Sequence, residues 1–256
     1  MKHNKKISIY TDPEAWEGMR KAGRLASQVL NMIEPYVVAG VTTVFLNDLC
    51  HKYIIDHDAF PAPLEVGFPC AVCISVNETI CHGIPSTRVL NAGDIVNIDV
   101  SLRLEGWYAD TCRMFYVERP SASARQLTEV CHQALMSAIA LVKPGVTLGD
   151  IGHIIQKKTE SSGFSVVREF CGHGIGRKLH DAPEVLHFGT QGTGISLKEG
   201  MFFTIEPMIN LGKPEVRFLK DGWSAVTKDG QWSAQWEQTI GVTSTGCEIF
   251  TPFSPL

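Results

Sequence analysis

Apolar positions along the chain fall into two similar halves. In the first, Trp16, Met19, Leu25, Val29 and Ile33 line one face of a helix that opens at Pro13, with Thr11 or Asp12 as its cap. Gly40 interrupts the pattern, and Thr42 or Thr43 starts a second helix to about Ile55, with Phe45, Leu49 and Tyr53 predicted to face inward. The Pro-rich segment 60–63 then leads to a strand-like run over 71–76. Residues 95–101 alternate, with Val96, Ile98 and Val100 on one face and Asn97, Asp99 and Ser101 on the other, as in a half-buried strand. The segment after Gly106 alternates again, with Asp110 on the parity of Tyr108 and Cys112. A turn over Arg103-Leu104-Glu105-Gly106 joins the two as a hairpin; centred between Leu104 and Glu105, it sets Asp99 directly opposite Asp110.

The second half repeats the plan. Ser123 and Gln126 predict a capping box for a helix to about Val142, and another helix runs to about Glu160. Gly145-Val146-Thr147 repeats Gly40-Val41-Thr42 at an offset of 105 residues. Ser165-Val166 and Cys171-Gly172-His173-Gly174-Ile175 echo Ser75-Val76 and Cys81-His82-Gly83-Ile84. The stretch from Gly200 to Glu206 echoes that from Gly93 to Asp99 at an offset of 107. Matches in the same order predict a duplicated unit of two helices followed by antiparallel strands, an α+β fold. The halves span about 13–118 and 122–250 of a single catalytic domain over 1–256.

The chain is long enough for a substantial core, and its net charge of −4 gives no general reason to bind DNA or an anionic membrane. Its basic start lacks the apolar stretch of a secretory signal, and no apolar run is long enough to span a bilayer, so a cytoplasmic protein is expected. Eight scattered cysteines do not form a disulfide framework, and Cys70-Ala71-Val72-Cys73 is a single CxxC best read as two packed thiols.

The duplication carries the chemistry. Each half supplies an acid at the same strand position (Asp99, Glu206), a His in a Gly-rich turn (His82, His173) and an acid on the returning strand (Asp110, Glu237). A pseudo-twofold junction brings these four carboxylates to one place, where they cannot all ionise near neutral pH without compensating cations. Two divalent ions balance them. Oxygen-rich donors with one imidazole suit Mn, Fe(II), Co or Zn and make a two-metal hydrolytic site. His180, like His82 and His173, sits beside a turn signal; His51, His57, His132, His153 and His187 carry no motif and are read as structural.

These residues resemble the methionine aminopeptidases of type I, in the pita-bread fold. The resemblance rests on Asn77-Glu78-Thr79-Ile80-Cys81-His82-Gly83-Ile84-Pro85, on Gly93 to Val100, on Asp110-Thr111, on Cys171 to Gly176 with His180, on Phe203-Thr204-Ile205-Glu206-Pro207-Met208, and on Ser233-Ala234-Gln235-Trp236-Glu237. It implies a curved central sheet covered by helices, and Asp99, Asp110, His173, Glu206 and Glu237 as ligands to two divalent metal ions, with Asp110 and Glu237 bridging. It also implies Glu206 as proton shuttle to a metal-activated hydroxide, His82 and His180 as substrate-positioning groups, and Phe68, Cys73 and Trp223 near the methionine pocket. The implied partners are the N-terminal Met peptides of nascent chains at the ribosome, with a small second residue preferred, acted on by a cytoplasmic monomer. The absence of an N-terminal extension points to the bacterial type. Two positions depart from the family: the usual Tyr ahead of the first strand is missing from Leu64-Glu65-Val66-Gly67-Phe68, and Leu179 stands where Phe is usual. The rivals are a prolidase or Xaa-Pro aminopeptidase, which carries the same carboxylate–His set, and a non-catalytic binding module of the same fold.

Overall fold

The computed structural model describes residues 6–252, so the ends of the sequence, His3 included, lie outside the described residues. Helix α1 spans Pro13–Ile33; Asp12 caps it by accepting a hydrogen bond from the Ala15 amide. Helix α2 spans Thr43–Asp56 and is capped by Thr42. Its buried stripe is Leu46, Cys50 and Ile54; Phe45 is 45% exposed, while Leu49 and Tyr53 pack only partly against the core. The expected stripe and the observed one are adjacent faces, about 100° apart, and packing against the sheet chose between them.

Strand β1 (Phe60–Pro61), a short helix α3 (Ala62–Glu65), β2 (Cys73–Val76) and β3 (Thr79–Cys81) lead to the long hairpin of β4 (Ile95–Leu104) and β5 (Trp107–Tyr116). Helices α4 (Ala122–Ile139) and α5 (Leu148–Ser161) open the second half. The α4 cap is Ser121, which accepts from the Ala124 amide, so the helix begins before Ser123 rather than at it. The capping box lies instead at α5, between Thr147 and Asp150. Then follow β6 (Ser165–Val166), β7 (Gly172–Gly174), β8 (Asp181–Val185), β9 (Phe202–Ile205), β10 (Met208–Asn210), β11 (Val216–Phe218), β12 (Ala225–Thr227), β13 (Ser233–Gln235), β14 (Gln238–Val242) and β15 (Cys247–Ile249). Asp221-Gly222 turns the small β11–β12 hairpin, with Asp221 accepting from the Trp223 and Ser224 amides.

The ladders run β1-β4-β2 with β5 on β4, and β15-β14-β9-β7-β8, with β13-β10-β6 and β11-β12-β3 beside them. Helix α1 covers one half with a core that includes Met19, Leu30 and Ile98, and α4 and α5 cover the other with one that includes Leu135, Phe203 and Trp236. The halves repeat down to single hydrogen bonds. Gly40 N–H bonds Leu90 O and Leu90 N–H bonds Val41 O; Gly145 N–H bonds Leu197 O and Leu197 N–H bonds Val146 O. Thr42 and Thr147 both cap the helix that follows.

The hairpin register differs from the expected one. Leu104 pairs with Trp107, so the loop is only Glu105-Gly106, both at positive φ (51° and 78°). This is the two-residue turn whose twist matches the strands. Asp99 therefore faces Cys112, Asp110 faces Ser101, and the two acids sit diagonally. Moving the pairing by two residues leaves every side chain on its predicted face, which is why alternation alone did not expose the difference.

In the second half, Gln238 pairs with Ile205 and Gln235 with Met208; the same register sets Glu206 opposite Glu237. Gly93 and Asp94 bond Val117, as Gly200 and Met201 bond Val242. By that correspondence the counterpart of Glu237 is Cys112, and that of Asp110 is Gln235. Asp110 and Glu237 are not symmetry mates.

Candidate active site

The two halves meet where β5 runs beside residues 237–239. The Glu237 amide bonds Cys112 O, Thr111 Oγ1 donates to Glu237 O, and Thr239 Oγ1 donates to Asp110 O. These bonds bring the polar faces of β4, β5, β7 and β9 together. Ligand atoms of Asp99, Asp110 and Glu237 lie within 4.8 Å of one another, as do those of His173, Glu206 and Glu237, and those of Asp110, His173 and His180. All four carboxylates predicted from the sequence thus converge with His173.

Each side chain is held by its neighbours. Ser101 Oγ donates to Asp110 Oδ1 at 2.7 Å, and Thr204 Oγ1 donates to Glu206 Oε1 at 2.8 Å. The same Thr204 oxygen accepts from the His173 amide at 3.0 Å. His173 Nδ1 lies 3.1 Å from Gly174 O, which places its proton there. Nε2 faces Asp110 Oδ2 at 3.5 Å and Glu206 Oε1 at 3.7 Å. The flanking glycines are steric requirements: a Cβ on Gly172 would strike the Thr204 carbonyl, and one on Gly174 the Ala182 carbonyl.

Burial, followed by the mutual repulsion of the acids, pushes the Asp99 and Glu237 carboxyls well above the ordinary range. Burial also raises Glu206 to about 7, against the opposing charge of His173. Burial lowers His173, but its hydrogen bond to Asp110 and the charges of Glu206 and Asp110 outweigh this and raise it. Burial lowers His82 and His180 and keeps them neutral. Asp99 Oδ1 and Glu237 Oε1 are buried with no hydrogen-bond partner among the described residues. Buried anionic oxygens left unpaired are costly unless a cation satisfies them. Oxygen donors with one or two imidazoles suit a divalent transition metal, so the residues fit such an ion.

A cavity of about 310 Å³ opens on the carboxylates. Phe68, Cys73, Leu179 and Trp223 line it, with the Phe68 and Trp223 rings edge to face at 5.3 Å. His82 and His180 lie on its walls, and the His180 ring sits 4.4 Å from that of His173. Every residue expected at the site from the sequence is therefore here. One was missed. His187, fully buried, accepts the Glu206 amide proton at Nε2, 3.2 Å away, and burial holds its pKa at about 3. No local motif marks it, because its role arises from the packing of the 187 loop behind β9.

The model of metallopeptidase family M24 matches residues 17–244. The chain belongs to metallopeptidase family M24. Within the M24 proteins it is 52% identical to the methionine aminopeptidase of Escherichia coli (strain K12) over 248 residues, 96% of this chain and 94% of that one. Its fold superposes on the crystal structure of methionine aminopeptidase from Rickettsia prowazekii with a TM-score of 0.95 at 51% identity, covering 96% and 100% of the two chains. The prolidase from Pyrococcus furiosus matches at a TM-score of 0.76 and 21% identity, covering 96% of this chain and 66% of that one, a likeness of fold alone. The α+β pita-bread expectation stands. As an M24 metallopeptidase the chain works with divalent metal.

Proposed function

We propose that the chain is a methionyl aminopeptidase that hydrolytically removes N-terminal methionine, preferring a small second residue. The observation that carries this is the full carboxylate–His cluster beside a pocket walled by Phe68, Cys73, Leu179 and Trp223, in a chain about half identical to methionine aminopeptidases over 96% of its length. Two metal ions are assigned to Asp99, Asp110, His173, Glu206 and Glu237. In support, Asp110 and Glu237 each belong both to the trio containing Asp99 and to a trio containing His173, as bridging ligands must. When bound, the ions supply Lewis acidity that polarises the scissile carbonyl and acidifies the attacking water.

The chain's own residues do the rest. The walls at Phe68, Cys73 and Trp223 hold the methionine side chain, with favourable sulfur–aromatic contacts. Glu206, on the edge of the cluster that opens to the cavity, takes the proton of the attacking water and returns it to the leaving amine. His82 and His180, neutral at pH 7, donate hydrogen bonds to the carbonyl oxygen as charge develops on it. His187 fixes the backbone that carries Glu206. The substrates are nascent chains emerging from the ribosome, and the enzyme acts as a cytoplasmic monomer.

The test incubates purified protein with Met-Ala-Ser, Met-Lys-Ser and Ala-Pro-Ser in Mn, Co, Fe(II) or Zn. Methionine release from Met-Ala-Ser and little from Met-Lys-Ser supports the proposal. Failure to release methionine in any of the four metals sinks it, as does preferential cleavage of Ala-Pro-Ser.

A further inference from the structure

Strand β8 is the last strand of its ladder, and among the described residues no backbone hydrogen bond joins it to any element but β7. Its register pairs Glu184 with His173, so both side chains lie on the face that carries the catalytic cluster. Alongside β8 runs a groove of about 1260 Å³, roughly four times the volume of the side-chain cavity. Its apolar flanks are Ile7, Ile9, Pro183 and Ile195, of which Ile9 and Ile195 are 44% and 41% exposed. Lys6 and Lys198 stand on the walls with Glu184. The groove meets the side-chain cavity at His173, one of the assigned metal ligands, and His180, which donates to the scissile carbonyl in the mechanism above.

A substrate seated with its methionine in the small cavity has one chain end to dispose of. Because His180 lines both cavities, the groove offers the chain beyond the scissile bond a path out past His180. An extended segment rises about 3.3 Å per residue and presents main-chain donors and acceptors on both edges, the complement of a free strand edge. Its alternate side chains would meet the exposed isoleucines. Pro183 offers no N–H, and the bulge between His173 and Gly174 bends the pair, so only a short stretch of pairing is available. Brief pairing suits a product that must be released, and it blunts the edge against pairing with other folded chains.

We infer that this groove is a docking site for the substrate from its third residue onward, held extended beside β8, an assignment that rests on the aminopeptidase reading. The test compares Met-Ala-Ser with Met-Ala-Ser-Leu-Lys-Leu on the metal-loaded enzyme. One or two main-chain bonds and a covered isoleucine raise kcat/KM of the hexapeptide about tenfold, chiefly through KM. In Ile195→Asp the ratio between the two peptides falls toward one. Equal kcat/KM for both peptides in the wild type overturns the inference, and so does an undiminished ratio in Ile195→Asp. If neither peptide is cleaved, the aminopeptidase reading fails instead. Amide hydrogen exchange with saturating hexapeptide then decides the groove: slowed exchange over 181–185 supports it, and unchanged exchange overturns it.

Discussion

Glu206→Gln should stabilise the metal-free protein while removing its activity. Glu206 is buried, sits opposite Glu237 and has its carboxyl raised from 4.5 to about 7. Ionising it in the folded protein therefore costs about 3 kcal/mol relative to the unfolded chain. Because the folded state holds the proton more tightly, the penalty is absent below pH 4.5, grows as pH rises through the interval to 7, and is complete above it. Glutamine keeps the shape and removes the charge. Its Oε1 accepts from Thr204 as before, and its Nε2 reaches Gln235 once that amide turns over to offer Oε1, which has no partner among the described residues. For a domain of this size 3 kcal/mol is about 6–12 °C in Tm. The assay is thermal unfolding in chelator at pH 5 and pH 8. The variant should melt higher at pH 8, with most of the gap gone at pH 5, and saturating divalent metal should raise the wild type far more than the variant. A variant that melts at or below the wild type at pH 8, or a gap unchanged at pH 5, would refute the claim that burying the Glu206 carboxylate carries a cost that bound metal offsets.

Asp110→Asn should lower metal stoichiometry as well as turnover, read by titration calorimetry; two ions per chain retained would show the bridging assignment to be wrong. Glu65, on α3 beside the pocket-lining Pro63 and Val66, accepts from Arg103 Nε at 2.8 Å and Tyr108 Oη at 2.6 Å. Glu65→Ala should free that loop and reduce the preference for Met over Leu peptides several-fold, a change in selectivity rather than in Tm, since exposed pairs are worth about 1 kcal/mol or less. His187, held near pKa 3, contributes stability that is present above the ordinary 6.5 and lost as pH falls toward 3. In urea unfolding, His187→Gln should therefore lose about 2 kcal/mol less than the wild type between pH 7 and pH 5.

Much of the site was legible because its signals are local. Gly172-His173-Gly174 must be glycine around histidine for the strands to approach, and the alternation around Asp99 fixes which face it occupies. The repeated Gly-Val-Thr marks two helix caps built alike. What the sequence could not show was any relation set by packing between distant segments. His187 reaches Glu206, nineteen residues on, only through the fold. Glu65 finds Arg103 and Tyr108 only once β1 docks on β4.

The carboxylate pair of the β4–β5 hairpin marks the boundary best. Period-two alternation determined that Asp99 and Asp110 share a face, because side-chain direction in a strand depends only on parity. Turn geometry decided the register: two residues at positive φ tightened the loop and moved Asp110 opposite Ser101. The directly opposed acids are Glu206 and Glu237, and the junction of the halves brings Asp99 and Asp110 to them. Local sequence sets which way each acid points. Only the tertiary structure sets which acids meet, since the bonds between Glu237 and Cys112 and between Asp110 and Thr239 join residues more than a hundred positions apart.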